Sequence, residues 1–283
     1  MTYIAKTFSY IKKSFWVLLL IAVVPAVLLG LFVRPMGFIT FIPDFAVSSI
    51  NSYADIAWLI FDRHATMYVY PIILIFVALT VCMALALSVI EKHFRTGRLM
   101  LKAPLRDLNS SLFPMLKTLA FMLAAYMLFK FILSGLVTLL HFLIGGAGIP
   151  STLTVILVSV SIVIAFVLCI YFSVPVIFWA PLMLTFGYSF VDALIESARM
   201  ASKAVWRLFA AFIFPFVVVA LLQCVFELLP LPAYAMKAIA AVLYLFLIMY
   251  MSALMPVATF DLSELERRDV KKPYPAKGND GGI

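Results

Sequence analysis

Residues 152–188 read TLTVILVSVSIVIAFVLCIYFSVPVIFWAPLMLTFGY, and none of these 37 side chains is charged. Residues 15–33 and 238–260 form uncharged runs of the same kind. Runs of about 18 or more apolar residues are typical of membrane-spanning helices. The whole chain of 283 residues is 66% hydrophobic and only 12% charged, against about 25% charged in a soluble domain. We therefore predict an all-α, polytopic transmembrane helical bundle, which excludes a soluble enzyme, a nucleic-acid-binding domain and a disulfide scaffold.

The apolar runs predict six spans within a transmembrane domain that covers residues 1–262. The longest run would form a helix of about 55 Å, which exceeds the ~30 Å hydrocarbon core of a bilayer. Pro175 and Pro181 are expected to kink or end this helix, so that 178–188 lies along the membrane interface. The alternative is two spans in this run and seven in total. The six predicted spans are 15–33, 68–90, 116–144, 152–174, 208–229 and 238–260.

The net charge of +8 indicates an orientation. With six spans and a cytoplasmic N-terminus, all but four of the 21 Lys and Arg residues lie in cytoplasmic segments, which agrees with the positive-inside rule. A seventh span would move Arg199, Lys203 and Arg207 to the outside. We therefore predict that both termini are cytoplasmic and that the chain has no nucleic-acid partner. The four exceptions are Arg34, Arg63, Lys130 and Lys237.

The cytoplasmic element 189–207 is predicted to contain an amphipathic interfacial helix. Ser189 and Asp192 have the spacing of a capping box, with Ser189 as the N-cap. Small residues recur at every fourth position, which allows close approach of another helix; they are Ala193, Ser197 and Ala201. The apolar side chains on one face are Val191, Leu194, Ile195, Ala198 and Val205, and the charged ones around the other are Asp192, Glu196, Arg199 and Lys203.

The second cytoplasmic element, 91–115, is strongly basic and is interrupted by Gly97 and Pro104. We expect it to lie on the headgroups of the bilayer, where each basic residue contributes about 1 kcal/mol near anionic lipid. A solvated loop is the alternative interpretation. The candidate contacts to anionic lipid are Lys92, Arg95, Arg98, Lys102 and Arg106.

Two segments outside the spans complete the predicted organisation. The outer loop 34–67 is apolar enough to form one or two short helices against the membrane or over the bundle. The cytoplasmic tail 263–283 is polar and rich in Pro and Gly, and we expect it to be mostly disordered.

An internal repeat is suggested by two stretches of matching spacing. Lys13-Ser-Phe-Trp16 is followed by Pro25, and Lys203-Ala-Val-Trp206 by Pro215, so that each proline comes nine residues after the tryptophan. Residues 109–117 enter the third span without such a tryptophan. We interpret the chain as three helical hairpins, each preceded by an amphipathic segment. The alternative is coincidence, because Trp at interfaces and Pro in spans occur in unrelated membrane proteins.

Residues 189–197, SFVDALIES, are followed by Trp206-Arg-Leu-Phe209 and a new apolar span. This pattern resembles a broad family of bacterial six-helix inner-membrane proteins, which includes the membrane domain of some glycerophosphodiester phosphodiesterases. The resemblance covers mainly residues 171–222. It implies an accessory domain of the bacterial cytoplasmic membrane with no catalytic residues to carry over. The phosphodiesterase activity belongs to a separate soluble domain, and we expect it to be absent here.

A polar stripe inside the third span is the main candidate site. Five residues at spacings of four, four, four and three share one helix face; they are Tyr126, Lys130, Ser134, Thr138 and His141. Gln223 and Glu227 are four apart on the fifth span, and Glu227 is a candidate counter-charge for Lys130 or His141. Ionisable residues within a span are costly and point to function. The alternative is that Lys117 and Lys130 extend to opposite interfaces.

Catalytic and cofactor motifs are not found in the sequence. The three histidines lie far apart, and there is no H-E-x-x-H, C-x-x-C, P-loop or dinucleotide fingerprint. We therefore predict no enzyme activity, no metal and no cofactor. The first hypothesis is a non-enzymatic scaffold, accessory or lipid-handling component of the membrane, with anionic lipids, a protein partner or a second copy as its partners. The second is a small transporter that uses the polar stripe.

Overall fold

The computed structural model describes residues 3–33, 69–99, 108–146 and 151–264. These ranges contain eight helices and no strand. Five of the helices are long and apolar enough to cross a membrane. The helices are α1 (Tyr3–Phe32), α2 (Val69–Thr96), α3 (Leu108–Gly146), α4 (Ser151–Ser173), α5 (Val176–Phe186), α6 (Phe190–Ser202), α7 (Val205–Glu227) and α8 (Ala233–Leu262).

The five helices capable of spanning are α1, α2, α3, α7 and α8. Each matches one of the predicted spans, leaving out at most two of its end residues, and α1, α2 and α3 extend beyond it by six residues or more at one end. The predicted fourth span falls in α4, a helix of 23 residues. The all-helical, multi-pass architecture therefore agrees with the sequence, and the count of six spans remains a prediction.

Helices α1 and α8 form the most extensive helix pair in the described fold. The buried face of α1 includes Ala22, Ala26 and Gly30, four residues apart. A Cβ atom added at Gly30 would lie 2.5 Å from the backbone nitrogen of Ala241. Small residues at this spacing let two helix backbones approach closely, which is how helices associate in a membrane without a hydrophobic driving force.

The uncharged run 152–188 breaks at Val174 and Pro175, between α4 and α5. Pro181, in contrast, lies inside α5. Helix α5 is enclosed by the protein, since all residues from Ile177 to Met183 are buried; its position along the membrane interface remains a prediction. Trp179 and Phe178 are fully buried in a core that also includes side chains of α2, α6, α7 and α8. Helix α5 therefore packs as an internal element of the basic end described below.

The predicted element 91–115 does not form a separate interfacial helix in its described part. Residues 91–96 continue α2, which ends at Gly97 in a left-handed conformation (φ 72°), and residues 108–115 begin α3. Extending the spans satisfies the backbone within the two helices. Several predictions fall outside the described residues: the outer loop 34–67, the middle of this basic segment, and the tail from 265 onwards.

Candidate functional site

One end of the bundle gathers most of the described basic residues, and we call it the basic end. It contains the start of α1, the end of α2, the connection from α5 to α7, and the end of α8. Hydrogen bonds, an ion pair and ring contacts join these elements. Its Lys and Arg residues are Lys6, Lys12, Lys13, Lys92, Arg95, Arg98, Arg199, Lys203 and Arg207.

The corner between α5 and α6 positions the predicted amphipathic helix. Gly187 ends α5 with a φ of 70°, a conformation that favours glycine. Ser189 then caps α6 by accepting a hydrogen bond of 3.3 Å from the backbone N–H of Asp192. The Nε1 of Trp179 donates a hydrogen bond of 2.8 Å to the carbonyl of Phe190. The predicted cap is thus confirmed, and the tryptophan ties α5 to the first residue of α6.

Helix α6 has three faces with different surroundings. The small-residue stripe Ala193, Ser197 and Ala201 is buried, together with Met200, which confirms its predicted role in close packing. On the opposite side of the helix, Val191 and Ile195 are 61% and 58% exposed. The third face carries charged side chains. In contrast to the buried stripe, the apolar stripe of α6, which we define as Val191, Ile195 and Ala198, is exposed along its length.

Arg95 makes a contact with another helix, α5, that the sequence did not predict. Its guanidinium pairs with Glu91 at 3.0 Å and donates a hydrogen bond of 2.9 Å to the carbonyl of Thr185 in the last turn of α5. A cation at the end of a helix satisfies carbonyls that have no partner within it. Of the other predicted lipid contacts, Lys92 is half-buried and Arg98 exposed, while Lys102 and Arg106 lie outside the described residues.

The first residues of α1, Tyr3–Lys13, form a segment that we call the leader. It ends at Ser14, where the backbone leaves helical geometry (φ −111°, ψ 16°). The leader reaches three other helices: the Tyr10 hydroxyl lies 3.0 Å from Nδ1 of His93 in α2, the Lys6 ammonium pairs with Asp261 in α8, and Phe8 packs against Phe214 in α7. These contacts attach the leader to the basic end.

The predicted polar stripe of α3 is described only in part. The structure gives the helical backbone at Tyr126, Lys130 and His141, but their side chains lie outside the described parts of the structure. Ser134 is fully buried, and Thr138 is half-buried with its hydroxyl donating to the carbonyl of Ser134 at 2.7 Å. The position of Lys130 relative to Glu227 therefore remains a prediction.

Gln223 and Glu227 do come together, as their spacing predicts. The Gln223 amide donates a hydrogen bond of 2.9 Å to Oε1 of Glu227, and Gln223 is only 4% exposed. The remaining acceptors, Oε1 of Gln223 and Oε2 of Glu227, are buried without a hydrogen-bond partner among the described residues. Unpaired buried oxygens are costly, so this pair presents two acceptors for a donor or a cation.

Three further observations concern metal binding, cysteine chemistry and pockets. Within the described ranges no cluster of three or more His, Cys, Asp or Glu side chains is arranged to hold a metal. Cys82 is buried and Cys224 half-buried, both as thiols. A shallow pocket lies between α2, α5 and α8 and is lined by Leu87, Glu91, Pro181, Leu184, Thr185, Pro256 and Phe260.

Sequence reasoning missed Trp179, His93 and Arg95 as residues that join helices. Only Arg95 had a signal in the sequence, because it lies four residues after Glu91, a spacing typical of an ion pair. Comparison with known proteins finds no matching family model and no similar curated protein or solved structure. The resemblance to the bacterial six-helix family therefore remains a prediction.

Proposed function

We propose that this chain is a six-span protein of the bacterial cytoplasmic membrane, with both termini in the cytoplasm, and that it acts as a non-enzymatic scaffold, accessory subunit or lipid-handling component. The observation that carries this proposal is the exposed apolar stripe of α6. Val191 and Ile195 are more than half exposed, although the opposite face of the same helix is buried against the protein. A helix with an apolar stripe beside a charged one suits the plane of a membrane interface.

The charge of the basic end supports the proposed orientation. Lys and Arg concentrate on the cytoplasmic side of membrane proteins, and most of the described basic residues lie at the basic end. The charged face of α6 includes the Glu196–Arg199 pair, at 3.1 Å, and suits contact with water and headgroups. In this orientation the apolar stripe faces acyl chains while the charged face contacts the cytoplasm.

The test is purification of the full chain in a mild detergent, followed by measurement of retained phospholipid and protein. We expect the wild-type chain to retain phospholipid or a protein partner. Ile195→Asp should reduce that retention several-fold, because a carboxylate on the apolar stripe opposes contact with acyl chains or with an apolar partner. Ile195→Leu is the matched control and should behave as wild type.

Thermal unfolding of both variants checks that the fold survives, since Ile195 is exposed and its replacement leaves no cavity. The proposal fails if the wild-type chain retains neither lipid nor protein. It also fails if Ile195→Asp retains as much as Ile195→Leu.

A small transporter is the second candidate, and the Gln223–Glu227 pair favours it. Two buried acceptor oxygens without partners in the described part of the chain, on a helix able to cross a membrane, suit a proton or a small cation. In vesicles containing the purified chain, Glu227→Gln should abolish proton or alkali-cation flux, because the neutral amide removes the charge that attracts the ion. Lys130→Met should also abolish the flux if the predicted stripe takes part. Equal flux in wild type, in both variants and in empty vesicles rejects this candidate.

A further inference from the structure

The leader with α1 and α6 with α7 share one backbone plan. The leader ends in a break at Ser14, and α6 is followed by a break at Ala204 (φ −147°, ψ 35°). Trp16 and Trp206 each follow the break by two residues. The repeated K-x-x-W pattern with its proline therefore coincides with a repeated geometry, in which an amphipathic segment meets a spanning helix at a sharp change of backbone.

Exposure follows the same register in both stretches. From position 3 to position 13, every residue is buried, half-buried or exposed in the same way as its counterpart in 193–203, with the one exception of Ile11, which is half-buried where Ala201 is buried. The buried counterparts continue into the spans. They are Tyr3 and Ala193, Thr7 and Ser197, Tyr10 and Met200, Leu18 and Leu208, Ala22 and Phe212, and Pro25 and Pro215.

This agreement in burial does not come from sequence identity, because most of the paired side chains differ in size and chemistry. It is the pattern of a helix that buries one face, and the same series also occurs at 111–121 in α3. Helix α3 runs as one helix from Leu108 to Gly146. The backbone break with its K-x-x-W pattern, rather than burial alone, therefore distinguishes the two stretches.

Each copy places a lysine and a tryptophan at the surface around the break. Trp16 and Trp206 are 73% and 72% exposed, and Lys13 and Lys203 are both exposed three residues before them. Tryptophan favours the boundary between headgroups and acyl chains, and an ammonium at that depth attracts phosphate. Two further basic residues of these stretches pair with carboxylates, Lys6 with Asp261 and Arg199 with Glu196.

We propose that the leader and α6 are two copies of one interfacial unit, and that Lys13 with Trp16 and Lys203 with Trp206 form two matched sites for the headgroups of anionic phospholipids. The proposal rests on the proposed membrane function, because it requires the basic end to lie at a bilayer surface. The lysine binds the phosphate and the indole packs between headgroup and acyl chain. Anionic lipid is preferred to zwitterionic lipid because the latter carries its own ammonium, which opposes the lysine.

The experiment uses the full chain in vesicles and the fluorescence of its tryptophans. The chain has four, and Trp179 is fully buried, so it is kept in every variant as a background that lipid does not reach. One variant retains Trp16 (W58F and W206F), a second retains Trp206 (W16F and W58F), and a third retains neither. Phosphatidylglycerol or phosphatidylcholine with brominated acyl chains is added at equal mole fraction, because bromine quenches an indole only at short range.

We expect brominated phosphatidylglycerol to associate about five-fold more tightly than brominated phosphatidylcholine at both tryptophans, which corresponds to the ~1 kcal/mol of one basic residue near anionic lipid. Lys13→Gln should remove the preference at Trp16 and leave it at Trp206, and Lys203→Gln should do the reverse. The matched controls Lys6→Gln and Arg199→Gln remove one positive charge from each copy and should leave both preferences within about two-fold of wild type.

Equal quenching by the two lipids at both tryptophans overturns the headgroup sites while leaving the membrane placement intact. A preference at one tryptophan alone, or its loss at both sites from one lysine substitution, overturns the equivalence of the two copies. If neither lipid quenches either tryptophan, the proposed function fails as well, because the basic end is then not at a bilayer surface.

Discussion

Helices α3 and α8 are both long and apolar enough to cross a membrane, yet the protein surrounds them very differently. In the most apolar stretch of α8, 50% of the residues are buried inside the protein, against 19% in α3. Residues 252–260 of α8 are buried without interruption, whereas Leu128, Ile132 and Leu139 of α3 are largely exposed. An exposed side chain in a membrane meets lipid tails, which are as apolar as leucine, so hydrophobicity does not decide which helix is internal.

Both helices satisfy hydroxyls within the helix, and the difference lies in the length of the stretch that packs closely against other helices. The buried stretch of α8 includes Ser252 and Thr259, whose hydroxyls donate to the carbonyls of Ile248 and Met255. Its partner α1 offers Gly30 for direct backbone contact. Close packing of this kind is what makes a helix internal in a bilayer. The described side chains of α3 show it in two short groups, one of Ser111, Met115 and Thr118 and one of Leu133, Ser134 and Val137.

The largest effect is expected at Trp179, a fully buried residue of α5. Its ring lies 4.8 Å from the ring of Phe121, through which α3 contacts the core. Trp179→Ala should lower the free energy of unfolding by about 3 kcal/mol or more, because it leaves a cavity and removes the hydrogen bond to Phe190. The measurement is unfolding of the purified chain in mixed micelles with increasing denaturing detergent.

The matched control for this prediction is Trp206→Ala, which truncates an exposed tryptophan. Its effect on unfolding should stay within about 0.5 kcal/mol. Losses of similar size in the two variants would show that burial within the protein does not govern the stability of this bundle.

An intermediate effect is expected at two glycines. Gly30 of α1 lies against α8, and Gly135 lies in α3. Gly30→Ala should destabilise the chain by about 1–3 kcal/mol, because the new methyl group meets the backbone of Ala241 and the helices must separate. Gly135→Ala in α3 meets nothing within 4 Å and should be neutral or stabilise by up to about 1 kcal/mol. The same unfolding measurement applies, and the contrast is lost if both substitutions shift stability in the same direction.

The smallest expected effect concerns an ion pair on each of two helices of the basic end. Arg95→Gln should destabilise by up to about 1 kcal/mol, since it removes both the Glu91 pair and the contact with Thr185 across to α5; the arginine is half exposed, which limits the effect. Arg199→Gln breaks a pair within α6 alone and should change unfolding by less than about 0.5 kcal/mol. A larger loss of stability for Arg199→Gln than for Arg95→Gln would contradict a stabilising contact between Arg95 and α5.

Much of the candidate site was predictable where the signal is local. The N-cap at Ser189 and the stripe of Ala193, Ser197 and Ala201 follow from spacings within one helix, and both are seen in the structure. The pairing of Gln223 with Glu227 also follows from a separation of four residues. The burial of Trp179 was not predictable, because an aromatic residue beside prolines in an apolar run suits a membrane interface equally well.

By itself, the sequence determined the all-helical class of the protein, the positions of the helices that are long and apolar enough to cross a membrane, and the local geometry of α6, because hydropathy and spacings of three or four residues act within one segment of chain. The tertiary structure alone decided that α5 is buried, that more of α8 than of α3 is internal, and that a backbone break precedes both Trp16 and Trp206. These outcomes depend on close contacts between segments far apart in the chain. In an apolar solvent such contacts are set by shape and hydrogen bonding, which hydropathy does not record.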